Sequence, residues 1–284
     1  MTDRPTTARG TAPGAAPVLA IGIDIGGSGI KGAAVDLATG TFATPRHRIP
    51  TPQPSGPVMV LPAVRHVADL ISVDTDGARL PMGVTFPAPI IDGRTMTAAN
   101  VDDDWIGYPA ETALSNAVGS PVALLNDADA AGIAEMRYGA GRGEKGVVLL
   151  LTIGTGIGSA LFVDGRLVPN TELGHLEIRG KDAEKRSSAA QRTARSLAWP
   201  AWAALLDEHL RAIERLFWPD LMILGGGVSK NAAKFVPLLT VRCRVVPAEL
   251  KGDAGIVGAA LFAAPAPAAA SGRTARSRAA SSAT

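Results

Sequence analysis

A glycine-rich shape occurs twice in this chain. Residues 24–36 read DIGGSGIKGAAVD and residues 152–164 read TIGTGIGSALFVD, and the two superimpose with one gap. Each follows an apolar run, VLAIGI before the first and GVVLLL before the second. Each therefore predicts a strand, a glycine turn and a returning strand. Glycine in such a turn lets backbone N–H groups approach an anion with no Cβ in the way. Two such hairpins, about 130 residues apart, imply a duplicated scaffold whose halves grip one phosphate chain.

The rest of the sequence reads as alternating strands and helices around these hairpins. Strands are expected at 18–25, 30–36 and 41–49, within PMGVTFPAP at 81–89, and at 121–127, with a helix over 57–72. The strand PVALLND ends in polar residues and runs into a helix through ADAAGIAEMRYG. A long amphipathic helix covers about 199–217, with Trp199, Trp202, Leu205, Leu206, Leu210, Ile213 and Leu216 on its buried stripe. PDLMILGGGVSK predicts a strand, a glycine turn and a helix start, and a last helix spans 253–264 with Asp253 as its N-cap.

At 284 residues and 46% hydrophobic content, this α/β chain can bury a sizeable core and is expected to form two domains. The division expected is a small N-terminal domain over 18–127 and a larger one over 128–252, with the helix 253–264 packing back towards the first. Residues 265–284 mix proline, alanine, serine and arginine without periodicity, and both they and residues 1–17 are expected to be disordered tails. No apolar run approaches the ~18 residues of a membrane span, and the leading residues hold no continuous apolar stretch for a secretory signal. A lone Cys243 excludes an internal disulfide framework and a cysteine-rich zinc site. The expected location is the cytoplasm, with no membrane and no nucleic acid as partner.

The formal net charge of +2 divides unevenly, because the tails carry +1 and +3 and leave −2 for the body. An anionic ligand must then be met by a local patch. Residues 178–198 carry +4, and Arg137, Arg142 and Lys145 are the other cations considered for a polyanion path; either set is equally a solvated face.

Ligands of such folds sit where strands end. Three groups of residues occupy such places: Asn126 and Asp127, then Glu172 and His175 in TELGH, then Gly225, Gly226 and Gly227 after LMIL. Together DIGGSGIKG, the ND pair, GTGIGSALFVDG, ELGH and ILGGGVSK occur in the order and spacing of the ROK sugar kinases, which the chain resembles over about residues 18–264. TFPAPIIDGRTMTAANVDDDWIG and NTELGHLEIRGKDAEKRSS are similar to the polyphosphate-using glucokinase branch of that family.

The resemblance implies a two-domain actin-like sugar-kinase ATPase fold, a ribonuclease H-like duplication with a cleft between the domains. It also implies phosphoryl transfer to the 6-hydroxyl of glucose, with polyphosphate as donor and ATP as a second one. Mannose shares that hydroxyl and is a second candidate sugar. Phosphoryl transfer needs an acceptor aimed in line, a base for its proton, and cations or N–H donors for the developing charge. Asp127 is the expected general base, the alternative being that it caps the following helix. Asn100, Asn126, Asp127, Glu172, His175 and Glu184 are the expected sugar contacts, although Glu177 competes with Glu184 for its place.

Gly26, Gly27, Ser28, Lys31, Thr155, Gly156 and Gly226 are the expected phosphate contacts; Lys31 could equally point to solvent, and Gly226 could serve packing alone. Gly255 and Gly258 are expected to serve close packing. Asp24 is expected to hold Mg²⁺, through water, beside the transferring phosphate. In many ROK members the histidine of ELGH joins a cysteine cluster around zinc. The segment LEIRGKDAEKRSS has no cysteine, so no structural zinc is expected. A chance site from Glu172, His175 and Glu177 is the alternative.

A homodimer is implied by the resemblance. Two other readings compete, an ATP-dependent kinase for glucose or an N-acylhexosamine, and a sugar-responsive repressor. The repressor is disfavoured, since the proline-rich stretch before residue 24 is too short for a helix-turn-helix.

Overall fold

The computed structural model describes residues 18–98 and 101–264. Its first glycine hairpin is β1 (Leu19–Gly26) and β2 (Gly29–Asp36), paired antiparallel down to Gly26 opposite Gly29. Two short strands, β3 (Thr41–Phe42) and β4 (His47–Ile49), pair with β2. The single strand expected over 41–49 is interrupted at Pro45, which has no N–H to give a ladder. Helix α1 (Pro57–Asp74) returns the chain to β5 (Met82–Phe86), parallel to β1. After a small hairpin, β6 (Ile90–Ile91) and β7 (Arg94–Thr95), helix α2 (Ala110–Val118) leads to β8 (Val122–Asn126), parallel to β5.

Helix α3 (Asp127–Tyr138) carries the chain to the second glycine hairpin, β9 (Val147–Ile153) and β10 (Ile157–Val163), which β11 (Arg166–Val168) extends. A two-stranded ribbon follows, β12 (Glu177–Ile178) and β13 (Lys181–Asp182), then helices α4 (Glu184–Ser187), α5 (Ala189–Ala194) and α6 (Trp199–Phe217). Strands β14 (Leu221–Gly225) and β15 (Arg244–Pro247) complete the second sheet, and α7 (Ala254–Ala263) ends the described chain. The strand orders β3-β2-β1-β5-β8 and β11-β10-β9-β14-β15 are the same order twice. In both sheets a glycine hairpin pairs antiparallel, and its first strand is flanked on the other side by two parallel strands. The repeated sequence shape thus reports a repeated topology.

Burial follows from residue spacing. Val60, Val64, Val67 and Ile71 recur along one face of α1 and are buried against Ile21, Ile23 and Ile25 of β1. Burying each such side chain contributes roughly 1.5–3 kcal/mol. The opposite face of this sheet meets α7 through Ala20, Ala33 and Val35 against Ile256, Val257 and Ala260. On the second sheet, Val148, Leu150, Ala160 and Phe162 face Ala131, Ile133 and Met136 of α3, whereas Leu149, Leu151 and Ile153 face Trp202, Leu206 and Leu210 of α6. Helices α3 and α7 therefore lie between the two sheets.

Small residues make that inner layer thin. A Cβ on Gly22 or Gly83 would enter the backbone of α7 at Ile256 or Ala259, and one on Gly258 would enter the backbone of α3 at Ala130. The expectation that Gly258 serves packing holds. Gly255 sits against Asp24, where an added Cβ would lie 3.2 Å from the carboxylate carbon.

Three local expectations need correction. Leu216 is 62% exposed, because the apolar stripe of α6 ends one turn before the helix does, and Trp199 and Leu205 are only half-buried. Asp207 and His209 are buried in that helix instead; Asp207 accepts from the Thr240 N–H and from its hydroxyl at 2.7 Å. Asp253 does not cap α7, since its carboxylate is taken by Arg46 at 2.6 Å. The helix expected after Gly225–Gly227 is a 3-10 stretch over Gly227–Lys234, broken at Asn231.

The close seating of α7 on the first sheet predicts that Gly83→Ala lowers stability by about 1–3 kcal/mol, the usual cost of overpacking a rigid contact. A urea titration followed by far-UV circular dichroism measures it.

Candidate active site

Both glycine turns open into one cavity of about 530 Å³. Gly26, Gly27 and Ser28 from the first turn and Gly154, Thr155 and Gly156 from the second line it, together with Gly226 at the end of β14. Its remaining walls include Pro87, Ala88 and Pro89 after β5, Asn126 and Asp127 at the β8–α3 junction, and Glu172, His175 and Glu184. The expected residues Gly26, Gly27, Ser28, Thr155, Gly156, Gly226, Asn126, Asp127, Glu172, His175 and Glu184 are therefore brought together. Lys31 and Asp24 do not line the cavity, and Asn100 lies outside the described residues.

The junction between β8 and α3 has its cap in Asn126. The Asn126 Oδ1 accepts from the N–H groups of Ala128 at 2.8 Å and Asp129 at 3.1 Å, satisfying the first free donors of the helix. Asn126 is thus the cap, and the alternative reading of Asp127 as the cap is set aside. The Asp127 carboxyl keeps some exposure to the cavity, yet the protein around it pushes its pKa up from 3.8 to about 7. Burial is the main cause and the charge of Asp24 the next. The Ala128 N–H opposes them, and Glu172 and Asp129 add to the rise.

Asp24 and Lys31 face each other across the β1–β2 ladder, with Lys31 Nζ 3.2 Å from Asp24 Oδ2. The other oxygen, Oδ1, accepts from the buried Thr85 hydroxyl at 2.9 Å. Lys31 is therefore committed to Asp24 and does not point freely to solvent. A cation that sequence reading missed stands at the first turn: Arg48 donates to the Ser28 carbonyl at 3.1 Å. Thr51 also holds that turn by donating to the Gly26 carbonyl.

Glu184, not Glu177, enters the cavity. Its Oε2 accepts from the Ile157 N–H at 2.9 Å, while Glu177 lies exposed in the β12–β13 ribbon. Glu172 is half-buried, and burial raises its carboxyl above the usual range, with His175 opposing and Glu184 adding. The segment around Glu172 is held from behind by groups the sequence did not single out. Buried His209, kept neutral-leaning by burial, sits with Nε2 2.9 Å from the Leu173 carbonyl. The Ser159 hydroxyl donates to the Thr171 carbonyl at 2.6 Å and accepts from the Leu173 N–H at 3.0 Å.

Among the described residues the group that could converge on a metal is His175, Asp182 and Glu184, not the set Glu172, His175 and Glu177 weighed from spacing. Asp182 is already engaged by His175 at 3.3 Å and by the Lys185 ammonium at 3.2 Å.

Gly226 takes φ +79°, a backbone angle that favours glycine, and an added Cβ would meet the backbone of Ile153. Gly226 therefore serves both packing and the cavity wall. The cations weighed between a polyanion path and a solvated face do not line the cavity. Arg137 lies in the last turn of α3, roughly 15 Å along the helix from Asp127 at 1.5 Å per residue. Arg142 and Lys145 precede β9, at the end of that strand opposite the glycine turn. Within 178–198, Arg179 and Arg186 both grip Glu208, at 2.6 and 2.7 Å, and Arg192 lies over the Trp199 ring at 3.7 Å.

The model of the ROK family matches residues 20–188. The chain is 50% identical over 241 residues to a polyphosphate glucokinase of Mycobacterium tuberculosis, covering 84% of this chain and 89% of that protein. Its fold superposes with a TM-score of 0.83 on the inorganic polyphosphate/ATP-glucomannokinase of Arthrobacter sp. strain KM, at 50% identity over 86% of this chain and 97% of the other. The ROK hexokinase of Thermus thermophilus follows with a TM-score of 0.70 and 25% identity over 86% and 97% of the two chains. With its duplicated sheets, its paired glycine turns and these relatives, the chain belongs to the ROK family of sugar kinases.

Proposed function

We propose that this protein transfers the terminal phosphoryl group of inorganic polyphosphate to the 6-hydroxyl of glucose, giving glucose 6-phosphate, with ATP as a second donor and mannose as a second acceptor. The observation that supports it most is the position of Asp127, a carboxylate with its pKa near neutrality, in one cavity with both glycine turns. Identity of 50% to a polyphosphate glucokinase supports the choice of donor and sugar. The name of the Arthrobacter relative supports ATP and mannose as alternatives.

In this reading Asn126, Glu172, His175 and Glu184 receive the sugar hydroxyls, and Asn100 joins them. Asp127 accepts the proton of the 6-hydroxyl while the new oxygen–phosphorus bond forms. The bond from that phosphorus to the bridging oxygen breaks, and the shortened donor leaves with the bonding pair. Backbone N–H groups of Gly26, Gly27, Ser28, Thr155, Gly156 and Gly226 meet the phosphate oxygens, and the Ser28 and Thr155 hydroxyls add donors.

Magnesium would supply charge neutralisation at the transferring phosphate. Asp24 suits it, since one carboxylate with waters and phosphate oxygens suffices for this ion. The carboxylate lies near enough to Asp127 to raise its pKa, and each of its oxygens has a single protein donor. Lys31 then balances the charge of Asp24. The protein is expected to act in the cytoplasm as a homodimer, with neither nucleic acid nor membrane as partner. No helix among the described residues is long and apolar enough to cross a membrane.

The decisive assay offers glucose with polyphosphate and with ATP separately, each with magnesium, and measures glucose 6-phosphate. Formation with ATP alone would replace the proposal with a strictly ATP-dependent kinase, and no formation with either would end it. Asp127→Asn should lower kcat by roughly 10²–10⁴-fold, the usual worth of a positioned base. Glucose binding measured by calorimetry should persist in that variant.

Because the ionised form of Asp127 is the base, kcat/KM for glucose should rise with pH, pass its half-maximum near pH 7 and level off about one pH unit higher in the wild type. The same shift affects folding with a definite sign. A carboxyl whose pKa is higher folded than unfolded favours the folded state at low pH, and that contribution is lost as pH rises from 3.8 to about 7. Asp127→Asn should therefore melt at a higher temperature than wild type at pH 8, and the gain should vanish near pH 4.

A further inference from the structure

Two residues after the base stands a carboxylate with no part in the reaction described above. Asp129 is 2% exposed. It is not needed to cap α3, since its own N–H is already taken by Asn126. One of its oxygens, Oδ2, accepts from the Asn170 N–H at 2.9 Å, while Oδ1 is buried without a partner. Burial pushes this carboxyl up to about 6, opposed by the Asn170 N–H and aided by the charge of Glu172. A buried acid with an unsatisfied oxygen is costly, and helix formation does not explain it.

The group it holds has a second tie. Asn170 adopts φ +59°, in the left-handed region, which turns the chain between β11 and Glu172. Its side-chain amide then pairs with one backbone residue at both ends: the Ile90 N–H donates to Asn170 Oδ1 at 2.8 Å, and Asn170 Nδ2 donates to the Ile90 carbonyl at 2.8 Å. Ile90 packs with the core of the first sheet and directly follows Pro87, Ala88 and Pro89 of the cavity wall. Asn170 belongs to the loop that follows the second sheet's edge strand and lies two residues before Glu172.

A single residue therefore ties three parts of the cavity together: the first turn of the base helix through Asp129, the proline wall through Ile90, and Glu172 through the chain. Ser159 fixes the other side of the same loop at Thr171 and Leu173. Reacting groups lose much of their effect when misplaced by about 1 Å, which is why such second ties matter.

We propose that Asp129 and Asn170 are positioning residues, a clasp across the cavity that sets Glu172 and the Pro87–Pro89 wall in register around the sugar. This inference rests on reading the cavity as the hexose site. It assigns Asn170 to neither chemistry nor sugar contact. The clasp acts on the acceptor sugar and leaves the donor side, lined by the glycine turns, untouched.

The test compares wild type, Asn170→Gly, Asp129→Ala and Asp129→Asn in steady-state kinetics with glucose and polyphosphate, each varied in turn, alongside thermal melting. Asn170→Gly keeps the left-handed backbone and its bond to Asp129 but removes both bonds to Ile90. It should raise KM for glucose by about tenfold, the equivalent of one to two net hydrogen bonds, with KM for polyphosphate unchanged. Asp129→Ala should do the same. Asp129→Asn still offers an oxygen to the Asn170 N–H, and should bring KM for glucose back to near the wild-type value.

Unchanged KM for glucose in Asn170→Gly, or an equal rise for both substrates, would overturn the clasp. So would Asp129→Asn proving as impaired as Asp129→Ala. If Asp129→Ala does not fold, Asn170→Gly decides alone, because glycine accepts the backbone angle. A wild-type protein that fails to phosphorylate glucose refutes the hexose reading instead, so the two failures are distinguishable.

Discussion

The arrangement depends on how closely two helices of small residues approach each other and the sheets around them. Gly258 of α7 lies against the backbone of Ala130 in α3, and Gly22 and Gly83 admit α7 to the first sheet at Ile256 and Ala259. On the other side, an added Cβ on Gly132 of α3 would lie 2.6 Å from Phe162 of the second sheet. Larger side chains in this layer would separate the sheets, and the two glycine turns would no longer open into one space. Close packing in the middle thus determines whether the turns at the edge can share a ligand.

The layer also explains how an acid is kept poised. Asp127 begins α3, where the N–H groups and the positive end of the helix would ordinarily favour a carboxylate. Asn126 takes the nearest donors for itself. Burial and the negative charges of Asp24, Glu172 and Asp129 then outweigh what remains of the helix effect. The result is a carboxyl that can take up and release a proton near neutrality, a requirement that a well-capped, fully ionised aspartate would not meet.

Much of this was legible in the sequence, for physical reasons that differ by residue. The glycine turns are visible because a turn that bares its N–H groups leaves a local signature, and Asp127 because a polar residue ending an apolar strand is conspicuous. The buried face of α1 follows from spacing alone. Pairings across long separations were not legible. Nothing local marks Asp129 as partner to Asn170, or Asn170 to Ile90, and His209 looks like one more residue of an amphipathic helix. The charge-rich stretch after β12 stayed open between two readings for the same reason, since Arg179 and Arg186 meet in Glu208, a residue in a different helix. Asp253 and Leu216 show that helix ends are poorly read from pattern, because an end is decided by what lies beside it.

The route of the chain between the sheets has a mechanical consequence. It passes from the first sheet to the second where β8 becomes α3, and returns where β15 gives way to α7. The first of these passages is the place where Asp127 stands, so that residue lies on the covalent link between the two sheets and not far out on either one. With a crossing on each flank, that stretch takes its place from both halves of the molecule jointly and from neither alone.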